Sequence, residues 1–374
     1  MSWTLHRLED VCEIKTGKSN TQDADPNGDY PFFDRSSEIK LSSRFVFDQE
    51  GVILPGEGKD FRARYFSGKF DLHQRAYLIY SKDTKQLFNK FLYFALIKHR
   101  KYFSATATGA TVKSLRKPQI GALNIPCPPL SAQIKIAELL SNYEDLISIN
   151  VARIALLEDI LKNEFDAIYA DPKQVLVKQK LDSVVKVERG CTYSSDEIDD
   201  YQGTHKFVNL KSFIDGGGFR IDGTKFFSGK VKPAQFLNEG DIVMAVTEQT
   251  NARTIIAHPA RIPQLDGTIS FSADVVKVSS DSIPNTFLYQ FLKSYKFTET
   301  TKHKANGTKV LHLKPSAILE FIGEFPKSLE INNFDNKAKN LTSEIHILLN
   351  QNLVLGTMLE TLLEQTVAGN VALE

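Results

Sequence analysis

The chain contains 374 residues, and its 46 basic and 45 acidic side chains leave a formal net charge of only +1. No run of about 18 apolar residues predicts a membrane span, and the first residues lack the basic and then apolar pattern of a secretory signal. The scattered Cys12, Cys127 and Cys191 favour a reducing, cytoplasmic setting over a disulfide framework, and the length predicts two or three domains.

The first part of the chain predicts a domain of mixed strands and short helices. Short apolar runs at residues 52–54 and 76–80 are typical of strands, and turn-forming clusters separate them. Residues 86–101 predict an amphipathic helix. We therefore predict a first α/β domain over residues 1–130.

A long helix is predicted to follow this domain. Pro129 ends the strand region, and Ser131 is placed to cap a helix. From Leu140 to Ile168, apolar residues recur at alternating steps of three and four, which is coiled-coil spacing. We expect this helical segment to occupy residues 131–174.

The second half of the chain repeats the first. Four pairs of similar segments occur in the same order, namely 8–17 with 181–190, 50–54 with 239–243, 91–93 with 287–289, and 111–118 with 308–315. The spacing between partners grows early, so the second copy carries longer insertions in its front part. Insertions usually occur in surface loops, where binding residues also concentrate. We therefore expect the two copies to have the same fold and to differ in their surface loops.

The second copy predicts the same kinds of element as the first. Residues 241–246 and 274–278 are typical of strands, and residues 284–297 predict an amphipathic helix. These elements lie in a predicted second α/β domain over residues 175–330.

A second long helix is expected over residues 331–374. This copy keeps only Pro326 and loses the Ser-x-Gln element found at the start of the first helix, so we expect the helix to begin near Phe334 and to be anchored differently. The predicted fold class is α+β, with two mixed α/β domains separated by two long antiparallel coiled-coil helices in a pseudo-two-fold internal repeat.

Motifs for catalysis, cofactors and metals are missing from the sequence. There is no phosphate-binding G-x-x-x-x-G-K-[ST], no G-x-G-x-x-G after a strand, no C-x-x-C and no H-E-x-x-H. Residues 13–15 and 38–40 have the E-x-K spacing of many nucleases, but no Pro-Asp dipeptide accompanies them. The segment Cys127-Pro-Pro-Leu130 lacks the polar first residue and aromatic last residue of amino-group methyltransferases. We predict no catalytic, cofactor-binding or metal-binding residue in this chain.

Several segments carry a family resemblance. They are the opening residues 3–17, Asp29-Tyr-Pro-Phe-Phe33, Gly109-Ala-Thr-Val-Lys-Ser-Leu115, and Ile125-Pro-Cys-Pro-Pro-Leu-Ser-Ala-Gln-Ile-Lys-Ile-Ala137. Together with the order of a domain, a long helix, a second domain and a second long helix, they resemble the specificity subunit of type I restriction-modification systems over essentially the whole chain.

The resemblance implies a non-catalytic subunit with two target-recognition domains that each read half of a split sequence in double-stranded DNA. It also implies two partner methyltransferase subunits that carry S-adenosylmethionine and the adenine chemistry. A motor and restriction subunit that uses ATP and Mg²⁺ would join them in the cytoplasm, without a membrane. No cofactor is expected in this chain itself.

Side-chain chemistry suggests which loops contact DNA. Many nucleic-acid binders are strongly basic, which the near-neutral net charge does not match, but basic residues concentrate at 98–117 and 293–314, at the same place in the repeat. Phosphates are held by Lys, Arg, hydroxyl and backbone N–H groups, whereas Gln and Asn suit adenine and Arg suits guanine. The predicted DNA-binding residues are Lys59, Arg62, Arg64, Thr108, Gly109, Thr111, Lys113, Arg116 and Lys117 in the first copy, and Gln249, Asn251, Arg253, Lys304, Gly307, Thr308 and Lys309 in the second.

Two asparagines interrupt the apolar stripes of the long helices. Asn150 lies near the middle of the first helix and Asn352 near the middle of the second. Antiparallel pairing would bring these midpoints together, and a buried asparagine in a coiled coil fixes register at a cost in stability. We therefore expect the two residues to lie close together and the helices to set the spacing of the half-sites.

Other functions remain open at this point. The chain could serve another methyltransferase-containing defence system, because that difference lies in the partner. A helical scaffold that only joins proteins would lack any preference for DNA sequence. An autonomous DNA methyltransferase conflicts with the missing cofactor and catalytic motifs.

Overall fold

The computed structural model describes residues 3–36, 38–58, 61–200 and 202–367. These residues form two compact units. The first unit takes the described residues of Met1–Ser148 and Leu353–Glu374, and the second unit is Ile149–Asn352. No helix in the described ranges combines the length and apolar character needed to cross a bilayer.

The first half of the chain alternates short strands and helices before one long helix. Its strands are β1 (Thr4–Arg7), β2 (Cys12–Thr16), β3 (Tyr30–Phe33), β4 (Lys40–Ser42), β5 (Phe47–Pro55), β6 (Arg64–Leu72), β7 (Ala76–Ser81) and β8 (Asn124–Cys127). Its helices are α1 (Leu8–Val11), α2 (Asn89–Lys98), α3 (Arg100–Thr106), α4 (Lys117–Gly121) and α5 (Leu130–Ala170). The strands predicted at 52–54 and 76–80 are confirmed in β5 and β7.

The second half repeats this plan with more strands. Its strands are β9 (Val177–Lys180), β10 (Lys186–Arg189), β11 (Ile198–Asp199), β12 (His205–Val208), β13 (Lys225–Phe227), β14 (Phe236–Leu237), β15 (Ile242–Ala245), β16 (Thr247–Glu248), β17 (Pro259–Arg261), β18 (Ile269–Phe271), β19 (Val275–Ser279), β20 (Leu311–His312) and β21 (Ile322–Phe325). Its helices are α6 (Asn285–Lys293), α7 (Tyr295–Lys302), α8 (Pro315–Leu319) and α9 (Ser328–Val367). The strands predicted at 241–246 and 274–278 are confirmed in β15 and β19.

The two amphipathic helices predicted from the sequence are each broken into two. The segment 86–101 contains α2 and the start of α3, because His99 leaves helical geometry with φ −88° and ψ 15°. The segment 284–297 contains α6 and the start of α7, because Ser294 is extended with φ −60° and ψ 143°. The apolar periodicity runs through both breaks, since the residues on each side still face the core.

Sheets form the centre of each unit. The first unit has a six-stranded sheet in the order β2-β7-β5-β6-β3-β4 and a separate β1-β8 pair. The second unit has a four-stranded sheet, β10-β19-β15-β17, and a five-stranded sheet, β11-β13-β12-β18-β14, with the pairs β21-β9 and β16-β20. Three of the five strands in the larger sheet, β11, β12 and β13, come between β10 and β14 along the chain. The longer front part predicted for the second copy is therefore confirmed.

The internal repeat is confirmed by equivalent backbone hydrogen bonds. The amide of Leu8 donates to the carbonyl of Leu123 at 2.8 Å, and that of Leu181 donates to Phe321 at 2.9 Å. Each bond ties the start of its copy to the segment just before the long helix. The predicted α+β class is confirmed, with a mixed domain followed by a long helix in each copy.

The long helices begin earlier than the sequence indicated. Helix α5 begins at Leu130, so Ser131 lies inside its first turn and does not cap it. Helix α9 begins at Ser328, so the expected start near Phe334 is wrong. The buried side chains of Ile331 and Phe334 pack in the core of the second unit, and this packing replaces the missing polar start signal.

Antiparallel pairing of the two long helices is visible within the second unit. Arg153 of α5 contacts Glu344 of α9 at 2.5 Å, and Glu164 of α5 contacts Lys337 of α9 at 2.7 Å. The partner on α9 moves toward its start as the residue on α5 moves toward its end. The predicted antiparallel orientation is therefore confirmed there.

Candidate nucleic-acid interface

An exposed turn occupies the same place in both copies. In the first copy, Thr108 and Ser114 exchange two backbone hydrogen bonds of 3.0 and 2.7 Å around it. In the second copy, Asn306 and His312 do the same at 3.0 and 2.8 Å. The segments 108–113 and 306–310 are exposed, so each turn presents its side chains and amides to solvent.

A glycine with positive φ opens each turn. Gly109 has φ 125° and Gly307 has φ 144°, and an added Cβ would lie 2.2 and 1.9 Å from a carbonyl oxygen across the turn. The geometry therefore matches Gly109 with Gly307, one residue away from the sequence alignment that matched Thr111 with Thr308. The shared pattern Gly-x-x-Val-x-x-Leu is the signal that gives the correct alignment.

The predicted phosphate-binding residues of the first copy fall on or beside its turn. Thr108, Thr111 and Lys113 are exposed on it, and Lys113 Nζ donates to the Ser104 carbonyl at 2.7 Å. The exposed Arg116 and Lys117 follow, where α4 begins.

The predicted residues of the second copy form a matching set. Thr308 and Lys309 are exposed on its turn, and exposed Lys304 precedes it. These residues lie in the same part of the repeat as the basic window of the first copy, but the match of Gly109 with Gly307 pairs Lys309 with Thr111 and Thr308 with Ala110.

The loop between β5 and β6 does not form one cluster. Lys59 lies outside the described residues. Arg62 lies near Glu144 of α5, whose pKa is raised by burial and pulled back by the charge of Arg62. Arg64 Nη2 donates to the Ser36 carbonyl at 2.8 Å, at the start of β6. Arg62 and Arg64 therefore have different neighbours.

A buried carboxylate organises the corresponding loop of the second copy. Glu248 is 2% exposed and accepts hydrogen bonds from the amides of Thr254, Ile255 and Ile256 and from the hydroxyl of Thr250. Burial disfavours its charge, but these hydrogen bonds outweigh burial and hold the pKa of Glu248 below its usual range.

The loop fixed by Glu248 presents three predicted DNA-binding residues. Gln249 and Asn251 are exposed on it. Arg253 has a positive φ of 55°, which is uncommon outside glycine, and its Nη1 lies 3.3 Å from His303 Nδ1. The Arg253 Nε atom is buried without a hydrogen-bond partner among the described residues. The loop is therefore held in a strained and specific shape.

Sequence reasoning missed a cluster of arginines beside the first turn. Arg35 Nη1 donates to Glu57 Oε2 at 2.7 Å, and Arg75 Nη1 contacts the other carboxylate oxygen. Arg75 lines a cavity of about 290 Å³ together with Arg116 and Ser114 of the turn region. These residues are far apart in the sequence, and only the pairing of strands and loops brings them together, so no local motif could have found them.

A cavity of about 330 Å³ that includes several charged and polar residues occurs in the second unit. It is lined by Tyr193, Asn209, Lys211, Lys225, Gln249 and Asp274, among others. Burial raises the pKa of Tyr193, and a hydrogen bond with Asp274 raises it further. The predicted Gln249 therefore faces a concave surface that carries charges of both signs.

The structure brings the two midpoint asparagines into contact. Asn150 Nδ2 donates to Asn352 Oδ1 at 3.0 Å and lies 3.4 Å from Gln351 Oε1. Asn150 is 7% exposed, so its amide depends on these partners for hydrogen bonds.

Side chains that could hold a metal ion are not grouped together in the described ranges. No cluster of three or more His, Cys, Asp or Glu side chains is placed there to hold a metal ion. Burial raises the pKa of Cys12 to about 12 and that of Cys127 to about 11, so both thiols are protonated at neutral pH.

The chain is similar to proteins of one family. Residues 2–159 match the family model described as the type I restriction modification DNA specificity domain. The specificity subunit of the type I restriction enzyme EcoDI from Escherichia coli is 29% identical over 168 residues. That match covers 45% of this chain and 37% of the E. coli protein, so it spans well under half of that relative's length.

Two further matches cover nearly the whole chain. The specificity subunit of the type I restriction enzyme MjaVIII from Methanocaldococcus jannaschii is 21% identical over 381 residues, covering 92% of this chain and 87% of that protein. A crystal structure of a type I restriction-modification S subunit from M. genitalium aligns with a TM-score of 0.62 at 17% identity. That alignment covers 98% of this chain and 96% of the other, and at this identity it shows a shared fold.

Proposed function

We propose that the chain is a specificity subunit of the type I restriction-modification kind and that it recognises a bipartite sequence in double-stranded DNA. The observation that carries this proposal is the glycine-led turn that recurs in both units with basic and hydroxyl side chains on it. A backbone turn that recurs in both copies, with different side chains around it, suits two half-sites of different sequence.

We assign different roles to the turns and to the neighbouring loops. The exposed amides, hydroxyls and lysines of the turns suit phosphates, which position a protein on DNA without reading its sequence. The loop fixed by Glu248 presents Gln249, Asn251 and Arg253, whose side chains suit base edges. Its strained, hydrogen-bonded shape supports this role, because base reading requires donors and acceptors in fixed directions.

Partner subunits would supply the chemistry. We propose that two methyltransferase subunits carry S-adenosylmethionine and modify adenine, and that a restriction subunit with ATP and Mg²⁺ joins for cleavage. This chain would contribute recognition and no catalytic group. Because its net charge is only +1, we expect the isolated chain to bind DNA weakly and the partners to raise its affinity strongly.

We also propose that the long helices set the length of the spacer between half-sites. Helices α5 and α9 contain 41 and 40 residues, and each residue adds about 1.5 Å. Inserting about four residues, one turn, into both helices should lengthen the spacer by one or two base pairs, since base pairs rise about 3.4 Å. An active insertion variant with an unchanged spacer would contradict this role.

Methylation mapping tests the main proposal. The chain would be produced with its methyltransferase subunits in a host without adenine methylation, and long-read sequencing would map modified adenines. We expect a motif with two unlike half-sites and a fixed spacer. Methylation without sequence preference would indicate a scaffold and would overturn the proposal.

A double variant of the first turn tests the phosphate role. Lys113→Ala with Lys117→Ala should weaken binding of the complex about equally on all sequences and reduce the salt dependence by about two phosphate contacts. The control is Lys162→Ala with Lys173→Ala, which removes two exposed lysines elsewhere. A changed motif at unchanged affinity would show that the turn reads bases.

A further inference from the structure

A carboxylate beside the first turn holds two arginines in place. Glu57 is 8% exposed, whereas the side chains of Arg35 and Arg75 remain 41% and 58% exposed. Each guanidinium has five N–H donors, so the contact with Glu57 uses few of them and leaves others to face solvent. Burial opposes the charge of Glu57, but the two arginines outweigh it and hold its pKa below the usual range.

Oriented arginines suit bases better than phosphates. A phosphate attracts any positive charge, whereas guanine presents two acceptors, O6 and N7, that a guanidinium matches with two parallel hydrogen bonds. The contact with Glu57 fixes the guanidinium planes before binding, so less side-chain entropy is lost on contact with DNA. Arg75 also shares a cavity with Ser114 and Arg116, beside the turn proposed to grip the backbone.

The second unit carries the opposite charge at the same place. The amide of Gly56 donates to the carbonyl of Arg75 at 2.9 Å, and that of Val246 donates to Asp274 at 2.9 Å. Asp274 is therefore the counterpart of Arg75. The residue after Gly56 is Glu57, which pairs with Ser114, and the residue after Val246 is Thr247, which pairs with His312 of β20. Thr247 is therefore the counterpart of Glu57. The second copy thus lacks the carboxylate that holds the arginines of the first.

We propose that Arg75, held by Glu57 together with Arg35, reads a guanine in the half-site bound by the first unit, whereas Asp274 reads a base amino group in the other half-site. This inference rests on the proposed function and names the side chains that make the two half-sites different. An aspartate accepts from the amino group of cytosine, so the same backbone position presents donors in one unit and acceptors in the other. Tyr193 and Asp274 line the same cavity and share a side-chain hydrogen bond.

The test compares methylation motifs of the complex. The variants are Arg75→Lys, Glu57→Gln and Asp274→Asn, and the control is Arg7→Gln, which removes another exposed arginine paired with a glutamate. Arg75→Lys keeps the charge and loses the paired donors. It should lower discrimination at one G·C pair of one half-site by about 5- to 150-fold, with the other half-site unchanged.

The remaining variants locate the effect. Glu57→Gln should relax the same base pair as Arg75→Lys, Asp274→Asn should relax a base pair in the other half-site, and Arg7→Gln should change neither. A uniform loss of methylation with an unchanged motif in Arg75→Lys would show a phosphate contact and overturn the inference. Relaxation of one half-site by both Arg75→Lys and Asp274→Asn would overturn it as well.

The controls separate this inference from the proposed function. Thermal unfolding of each variant complex identifies any variant that fails to fold. The methylation motif of the conservative Arg75→Lys variant then decides whether the inference holds. If the wild-type complex gives no bipartite motif, the proposed function fails and this inference fails with it. If the wild-type motif is bipartite and Arg75→Lys leaves it unchanged, only the inference fails.

Discussion

In the first unit, an amide fixes the beginning of the long helix, whereas apolar side chains fix it in the second. Gln133 of α5 is fully buried, and its side chain accepts from the Phe88 amide at 2.8 Å and donates to the carbonyls of Gln86 and Pro128 at 2.7 and 2.8 Å. Ile331 holds the same position in α9 and packs in the core. A duplicated fold can therefore keep one geometry with either directional or non-directional contacts.

The largest expected effect comes from the apolar anchor. Phe334 is 3% exposed and packs its ring 5.7 Å from Phe287 and 6.0 Å from Phe165. Phe334→Ala should lower the free energy of unfolding by about 3–5 kcal/mol, because it removes buried area and leaves a cavity. Denaturant unfolding followed by far-UV circular dichroism measures this. The exposed Leu329→Ala is the matched control, and equal effects of the two changes would contradict the anchor role.

Exchanging the two anchors tests whether they are equivalent. Gln133→Ile should lower the free energy of unfolding by roughly 2–4 kcal/mol, because buried backbone groups lose their partners. Trp3, the only tryptophan, packs against the core of the first unit, so its fluorescence reports unfolding there. The reverse change, Ile331→Gln, should cost about 2–3 kcal/mol by burying an amide among apolar groups. A neutral Gln133→Ile would mean that packing alone anchors both helices.

The sequence could predict the fold to the level of its elements but not the site. Apolar spacing and the repeat predict both domains and both long helices, because those features depend on local periodicity. Periodicity also misplaced the start of α9, since the burial of Ile331 and Phe334 depends on distant residues. The arginines around Glu57 could not be predicted, because strand register and loop packing bring them together.

Low pH should destabilise two loops, because one carboxylate holds each of them in place. Hydrogen bonds to Glu248 and ion pairs to Glu57 hold both pKa values below the usual 4.5, so their stabilisation is complete above that pH and declines as pH falls through the lowered values. Glu248→Gln should cost about 1–2 kcal/mol at neutral pH and flatten the loss of stability below pH 4.5. Unfolding curves at a series of pH values measure both effects. An unchanged pH profile would show that other carboxylates control acid sensitivity.

The contact between the asparagines should contribute a smaller coupling. A double-mutant cycle with Asn150→Ala and Asn352→Ala should give a coupling energy of about 0.5–1.5 kcal/mol, as expected for a hydrogen bond between neutral groups. Denaturant unfolding of the two single variants and the double variant provides the values. Strict additivity would show that the pair contributes no specific interaction.

The smallest change in the free energy of unfolding is expected when an ion pair on the exposed side of the helix pair is removed. Lys337 and Glu164 form an ion pair of 2.7 Å, but their side chains are 65% and 42% exposed. Lys337→Ala should therefore change the free energy of unfolding by less than about 0.5 kcal/mol. Unfolding at low and high salt checks this. A loss above about 1 kcal/mol that salt abolishes would show that surface charge holds the pair.

The composition of the first unit has a consequence for how the protein is made. Its core includes the buried Leu363 and Val367 near the end of α9, although most of the unit comes from residues before Ile149. All residues of the second unit are synthesised before those two leave the ribosome. The unit that is translated first is therefore the last to complete its core, and a nascent chain stalled within α9 would hold a finished second unit beside an unfinished first one.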